Sequence, residues 1–93
     1  MPKKSGIAFM MEFVQDYLNG KTDRLGFDLD LNYYLIQNYP KMERENADLA
    51  ECFAFYIVER GFDLSVGLSD AKHKALIRKR YKDFLSAMND GLY

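Results

Sequence analysis

Residues 40–61 have the sequence PKMERENADLAECFAFYIVERG, and this stretch carries the clearest helical pattern in the chain. Pro40 suits the first position of a helix, where its missing N–H is not needed. Gly61 suits the position just beyond the last turn, where a left-handed residue often ends a helix. Apolar side chains recur at intervals of three and four residues. The stretch therefore predicts a helix over residues 40–60 with the core stripe Met42, Asn46, Leu49, Phe53, Tyr56 and Ile57.

The opposite face of this predicted helix is not uniformly polar. Phe55 lies there among Asp48, Glu51 and Glu59. An aromatic ring surrounded by carboxylates can bury itself in a partner while the charges attract a basic surface. A long central helix could equally bury two faces, with Phe55 packing against the first helix. We take Asp48, Glu51, Phe55 and Glu59 as the candidate protein-binding surface, and the exposure of Phe55 distinguishes the two interpretations.

Capping residues delimit the other helices. Ser5, Asp28 and Ser69 are good N-caps, and the residue before Pro40 is biased away from helix, which predicts a corner at Tyr39. Residues 27–31 alternate like a strand, but no second alternating run could pair with them. The chain is therefore predicted to be all-α, a single domain over residues 1–93. About four helices are expected, at approximately 5–19, 29–38, 40–60 and 69–89.

The first predicted helix has an unusually wide apolar face. The apolar positions cover well over half of its circumference. They are Ile7, Phe9, Met10, Met11, Phe13, Val14, Tyr17 and Leu18. Such a helix is buried on two sides or pairs with another chain, so a self-associating module that forms a homodimer is one open alternative.

Charge is sorted along the chain. The net charge is −1, yet residues 21–68 hold five Lys or Arg against nine Asp or Glu, and residues 69–93 hold six against three. The last helix carries a candidate basic patch that could contact phosphates. Its members are Lys72, Arg78, Lys79 and Lys82. Nucleic-acid binding is the less favoured alternative, because the eight-residue loop before this helix is too long for a helix-turn-helix and overall acidity opposes it.

Residue types that carry chemistry do not assemble into a catalytic or metal pattern. Asp28, Asp30 and Asn32 match the first ligand positions of a calcium loop, but Tyr33 replaces the essential glycine. A buried structural histidine is the commoner role for His73, and a small packing residue is the commoner role for Cys52. We therefore predict no catalytic, cofactor or metal site and no enzyme activity.

The remaining features concern location and partners. A single cysteine suits a reducing compartment, and no apolar run approaches the roughly 18 residues that span a bilayer. We expect a cytoplasmic protein without a membrane or metal partner. The sequence favours a small non-enzymatic protein that binds another protein, such as a regulator or an immunity- or antitoxin-like inhibitor of a basic partner.

Overall fold

A computed structural model describes residues 5–90 of the chain, and all regular secondary structure in this part is helical. The prediction of an all-α fold is confirmed, with three α-helices in the described residues rather than about four. The elements are α1 (Gly6–Leu18), α2 (Arg24–Phe53), a π-helix (Ala54–Glu59), a 3-10 turn (Phe62–Leu64) and α3 (Asp70–Asp90).

Helix α1 begins and ends close to the predicted positions. The Ser5 hydroxyl accepts a hydrogen bond from the Ala8 amide at 2.9 Å, which satisfies one of the free N–H groups of the first turn. The chain leaves the helix through Gly20, whose φ of +83° is the left-handed conformation that glycine adopts without strain.

A side chain from α2 caps α1 a second time. The Glu45 carboxylate accepts hydrogen bonds from the Gly6 amide at 2.7 Å and from the Ile7 amide at 3.1 Å. A side chain at position 6 would meet Met42 and the Asn38 carbonyl at 3.1–3.2 Å, so glycine lets the start of α1 lie directly against α2.

Helix α2 begins five residues earlier than predicted. Its N-cap is Asp23, whose carboxylate accepts a hydrogen bond from the Gly26 amide at 2.8 Å. Asp28, the predicted cap, lies inside the helix and contacts His73 and Arg24 instead. The prediction of a helix start at residue 29 is wrong because an equally good capping residue precedes it, and both Asp23 and Asp28 are chemically suitable.

The predicted corner at Tyr39 is also wrong, because α2 continues through Pro40. Pro40 is exposed, so the Ile36 carbonyl, which loses its helical hydrogen bond to proline, lies on the solvent side of the helix. The backbone leaves helical geometry at Asn46, where φ is −166° and ψ is 100°. The Asn46 side chain accepts from the Leu49 amide at 3.0 Å, which is the contact of an N-cap.

The core is formed where the three helices meet. Four of the predicted stripe positions on residues 40–60 are buried, and Tyr56 and Asn46 are half-buried. On α3, Ile77 and Phe84 are fully buried and Tyr81 nearly so. Aromatic rings tie α1 to α2, with Tyr17 stacked on Phe27 at a centroid distance of 4.5 Å. Such pairs add about 1 kcal/mol each to the area that they bury.

The connection from the π-helix to α3 is only partly packed against the core. Phe62 is half-buried, but Leu64 and Val66 are exposed. The Ser69 hydroxyl accepts from the Lys72 amide at 3.3 Å, so the predicted cap of the last helix is present.

Candidate protein-binding groove

The four residues of the candidate protein-binding surface line one open cavity of about 590 Å³. We call this cavity the acidic groove. Its lining residues come from the part of α2 after Asn46, from the π-helix and from one position on α3. One further lining residue belongs to the part of α2 before Asn46. The lining residues are Tyr39, Asp48, Glu51, Cys52, Ala54, Phe55, Tyr56, Glu59 and Ala87. Carboxylates and aromatic rings therefore face the same space.

Two irregularities of the backbone shape the acidic groove. The break at Asn46 separates Tyr39 from the rest of the lining along the chain, and both sides of the break contribute to the same wall. The wider turn of the π-helix spans Phe55 and Glu59, and the Arg60 amide donates to the Phe55 carbonyl at 3.0 Å, five residues back. Wide turns of this kind occur frequently at functional sites.

Phe55 is the aromatic residue at the centre of the candidate surface. This residue is 40% exposed. The Tyr56 ring meets it edge-on at 5.1 Å, and the Arg60 guanidinium lies 5.5 Å from its centroid. This is a cation–π contact, so a guanidinium within the chain already occupies part of the exposed ring.

The carboxylates in and around the acidic groove affect the pKa of Tyr39. Burial raises the pKa of this phenol, and the carboxylates of Glu43, Glu51 and Glu59 raise it further. Negative charge thus accumulates on the side of the groove that Tyr39 shares with the π-helix. A cationic group placed there would gain Coulomb energy and would keep contact with aromatic surface.

Cys52 lies in the wall of the acidic groove, but it lacks the surroundings of a reactive thiol. Burial raises the pKa of its thiol, so the nucleophilic thiolate is disfavoured at neutral pH. Among residues 5–90, no three His, Cys, Asp or Glu side chains are grouped so that they could hold a metal ion.

His73 is fully buried and belongs to a hydrogen-bonded chain away from the acidic groove. Its Nε2 lies 2.9 Å from the Asp28 carboxylate and its Nδ1 lies 2.7 Å from the Tyr17 hydroxyl. Because a carboxylate only accepts, Nε2 is the donor, and in the neutral ring Nδ1 then accepts from the Tyr17 hydroxyl. Burial raises the pKa of Tyr17, and the Asp28 carboxylate adds to this, so the phenol keeps its proton. The arrangement satisfies both ring nitrogens and joins α1, α2 and α3.

The predicted basic patch is found on the solvent side of α3. Lys72, Arg78, Lys79 and Lys82 are all exposed. Arg78 also donates to the Leu18 carbonyl at 3.1 Å, where it satisfies a free acceptor at the end of α1. One of the four cations thus has a structural role between helices, and the three lysines form the remaining patch.

Sequence reasoning missed two aromatic residues in the lining of the acidic groove, Tyr39 and Tyr56, and the contact of Arg60 with Phe55. Tyr39 was interpreted as a corner, Tyr56 as a core residue, and Arg60 as the end of a helix. A helical wheel with a constant 100° step cannot bring Tyr39 beside Phe55, because the break at Asn46 and the π-helix both change the step. The available signal for a cation–π contact was that Arg60 follows Phe55 by five residues and Tyr56 by four, about one helical turn.

The apolar face of α1 is largely covered by the chain itself. Met10, Val14 and Tyr17 are buried, and Phe9, Phe13 and Leu18 pack against the core from its edge. The width of this face is therefore explained by contacts with α2 and α3. None of the helices in residues 5–90 combines the length and the apolar character that crossing a bilayer requires.

Comparison of the chain with protein-family models, with curated proteins and with solved structures finds no match.

Proposed function

We propose that this chain is a small, non-enzymatic cytoplasmic protein that binds a basic partner protein through the acidic groove, as a regulator or an immunity- or antitoxin-like inhibitor does. The observation that carries the proposal is the common cavity of Asp48, Glu51, Phe55 and Glu59. Surface carboxylates without a binding role need no shared cavity and no exposed aromatic ring between them.

Recognition has a long-range part and a short-range part. The carboxylates of Asp48, Glu51 and Glu59 attract a basic surface and raise the rate of encounter. Phe55, Tyr39 and Tyr56 then offer aromatic area that excludes water. Aromatic residues at the centre of an interface often account for about 2 kcal/mol or more each.

The contact of Arg60 with Phe55 indicates which partner side chain suits the acidic groove. A guanidinium stacks on an aromatic face and pairs with carboxylates in a planar geometry that an ammonium group lacks. An arginine of the partner would take the position that Arg60 holds over Phe55 in the free protein. The groove would then pair it with Glu51 or Glu59.

The test is capture of partners by the full chain from native cell lysate, with and without nuclease, followed by calorimetry with the purified partner. The groove variant is Glu51→Lys, Phe55→Ala and Glu59→Lys. A matched control is Asp30→Lys, Asp63→Lys and Leu64→Ala, which changes the net charge equally and also truncates one exposed apolar side chain outside the groove.

We expect the groove variant to weaken binding at least about 30-fold, corresponding to one aromatic hot spot, while the control binds like the wild type. Affinity should also fall with added salt, because exposed charges contribute to attraction. Equal affinities of groove variant and control for the same partner would show that the acidic groove is not the binding site.

The exposed lysines of α3 support a second candidate, which is nucleic-acid binding. Lys72, Lys79 and Lys82 lie on one side of a single helix, and cations in this arrangement can neutralise neighbouring phosphates. The variant Lys72→Glu, Lys79→Glu and Lys82→Glu would then abolish a salt-sensitive affinity for DNA or RNA. A wild-type protein that binds neither at low salt would exclude this candidate.

A further inference from the structure

The first part of α2 presents apolar side chains to solvent. Leu25, Leu29, Tyr33 and Ile36 are 67%, 68%, 57% and 74% exposed. Their spacing of four, four and three residues places them on one face of the helix. We call this face, with the exposed Asn32 and Pro40 that continue it, the α2 stripe: Leu25, Leu29, Asn32, Tyr33, Ile36 and Pro40.

The α2 stripe is distinct from the core side of the helix, where Phe27 and Leu31 are fully buried. It also holds four of the seven large apolar side chains that are exposed in residues 5–90. From Leu25 to Pro40 it is about 24 Å long. Apolar residues concentrated on one face of a soluble protein mark an interaction surface, whereas single scattered ones do not.

We propose that the α2 stripe is the contact surface of a two-fold dimer in which α2 pairs antiparallel with α2 of a second copy of this chain. A two-fold interface requires that residue i contacts j and that j contacts i. The stripe meets this condition in one antiparallel register. In this register each residue faces the partner residue whose number brings the sum of the two to 65. Leu25 then faces the partner's Pro40, Leu29 faces the partner's Ile36, and Asn32 faces the partner's Tyr33.

The central pair of this register is polar. The Asn32 amide lies opposite the partner's Tyr33 hydroxyl, and the two-fold axis repeats the contact. A polar residue at the centre of an apolar helix pairing penalises shifted registers, because a shift would bury it without a partner. The same pair therefore selects the antiparallel register.

Charge at the ends of the α2 stripe also favours the antiparallel orientation. Glu43 follows Leu25 by five helical turns and lies in line with the stripe. In the antiparallel dimer it faces the turn at residues 21–23 of the partner, where Lys21 has 74% of its side chain exposed and lies 4.0 Å from the Asp16 carboxylate. The turn also carries Asp23, whose carboxylate caps α2 through the Gly26 amide. A parallel dimer would place the two Glu43 carboxylates against each other.

The size of the α2 stripe indicates a weak dimer. One helix face of this length buries less than the roughly 800 Å² per partner of a standard interface. We therefore expect a dissociation constant in the micromolar range and a mixture of monomer and dimer in solution.

Sedimentation equilibrium of the full chain from micromolar to millimolar concentration tests the dimer. The stripe variant Leu29→Glu and Ile36→Glu should be monomeric with unchanged helical circular dichroism, because both positions are exposed in the free chain. The control Leu64→Glu and Val66→Glu alters exposed apolar residues outside the stripe and should dimerise like the wild type. A monomeric wild type at millimolar concentration, or a stripe variant that still dimerises, would overturn the proposal.

Cysteine cross-linking tests the register. In a Cys52→Ser background, mixing the Leu29→Cys and Ile36→Cys chains should give a disulfide-linked heterodimer under mild oxidation. Neither chain should cross-link alone, because its two equivalent positions are about 10 Å apart along the helix axis, beyond the reach of a disulfide. Linkage of either chain with itself would indicate a parallel pairing and would contradict the proposed register.

Discussion

His73 is a single side chain through which all three helices are joined. Its ring lies between the Tyr17 hydroxyl of α1 and the Asp28 carboxylate of α2, and Asp28 also lies 3.5 Å from the Arg24 guanidinium. A buried polar chain of this kind is favourable only while every member has a partner. Loss of one member leaves buried polar groups that can form a hydrogen bond neither with water nor with a protein partner.

We expect His73→Leu to lower the free energy of unfolding by about 2–3 kcal/mol, because it leaves the Tyr17 hydroxyl and one Asp28 oxygen without their partner. Tyr17→Phe removes only one hydroxyl and should cost about 1 kcal/mol. Urea denaturation followed by circular dichroism measures both. A His73→Leu protein as stable as the wild type would show that the chain of hydrogen bonds contributes no net stability.

Glu45 links the stability of the fold to pH. Burial disfavours its charged form, but the amides of Ile7 and Gly6, followed by Lys41 and Ser5, more than compensate and lower the pKa of the carboxyl group. A lowered pKa means that the native state favours the ionised form. The stabilisation that Glu45 contributes is therefore fully present above the pKa that its carboxyl group has in the unfolded chain. It is lost as the pH falls through the lower pKa of this group in the native state.

Glu45→Gln should reduce the free energy of unfolding by about 1 kcal/mol at pH 7, the typical value of a helix N-cap. The difference from the wild type should disappear under acid conditions, where the carboxyl group is protonated in both states. Glu43→Gln, two residues away and exposed, is the control and should show a smaller effect. Denaturation curves from pH 7 down to pH 3 give the comparison, and a difference independent of pH would contradict the charge-assisted cap.

At the scale of elements, α2 tolerates a proline in its interior and breaks at an asparagine. Pro40 costs the helix one hydrogen bond but stays on the solvent side. Asn46 both ends the first part of the helix and caps the second through its contact with Leu49. The break lies between Tyr39 and Asp48, so residues on both sides of it line the acidic groove.

Substitutions at Pro40 and at Asn46 should change the free energy of unfolding in opposite directions. Pro40→Ala should raise the free energy of unfolding by about 1–3 kcal/mol, because alanine restores the hydrogen bond and removes the steric strain. Asn46→Ala should lower it by about 1 kcal/mol, because the Leu49 amide loses its cap. Urea denaturation measures each, and a destabilising Pro40→Ala would show that proline is needed at this position.

Element prediction from the sequence succeeded where the signal was local. Ser5 and Ser69 cap the helices that they were predicted to cap, and four of the six predicted stripe positions on residues 40–60 are buried. It failed where two local signals competed. Asp23 and Asp28 are equal as capping residues, and only Asp28 has a distant partner, His73, that holds it inside a helix.

At the scale of the whole molecule, an acidic side and a basic side coexist on one small chain with a net charge of −1. The acidic side is a cavity of about 590 Å³ with aromatic walls, whereas Lys79 and Lys82 border a smaller cavity of about 320 Å³ without aromatic residues. The residues of the candidate surface were predictable because they recur on one face of a helix. Tyr39 was not predictable, because its position in the groove depends on a backbone break that periodicity does not reveal.

The pairing of α1 with α2 has a consequence for how the chain folds. Only residues 19–23 separate the two helices, and they run antiparallel, since Gly6 lies beside Met42 and Tyr17 stacks on Phe27. Contacts between neighbouring segments form quickly because little loop entropy is lost. We expect this helical hairpin to form first and α3 to dock last. Folding is then complete when His73 enters its position between Tyr17 and Asp28.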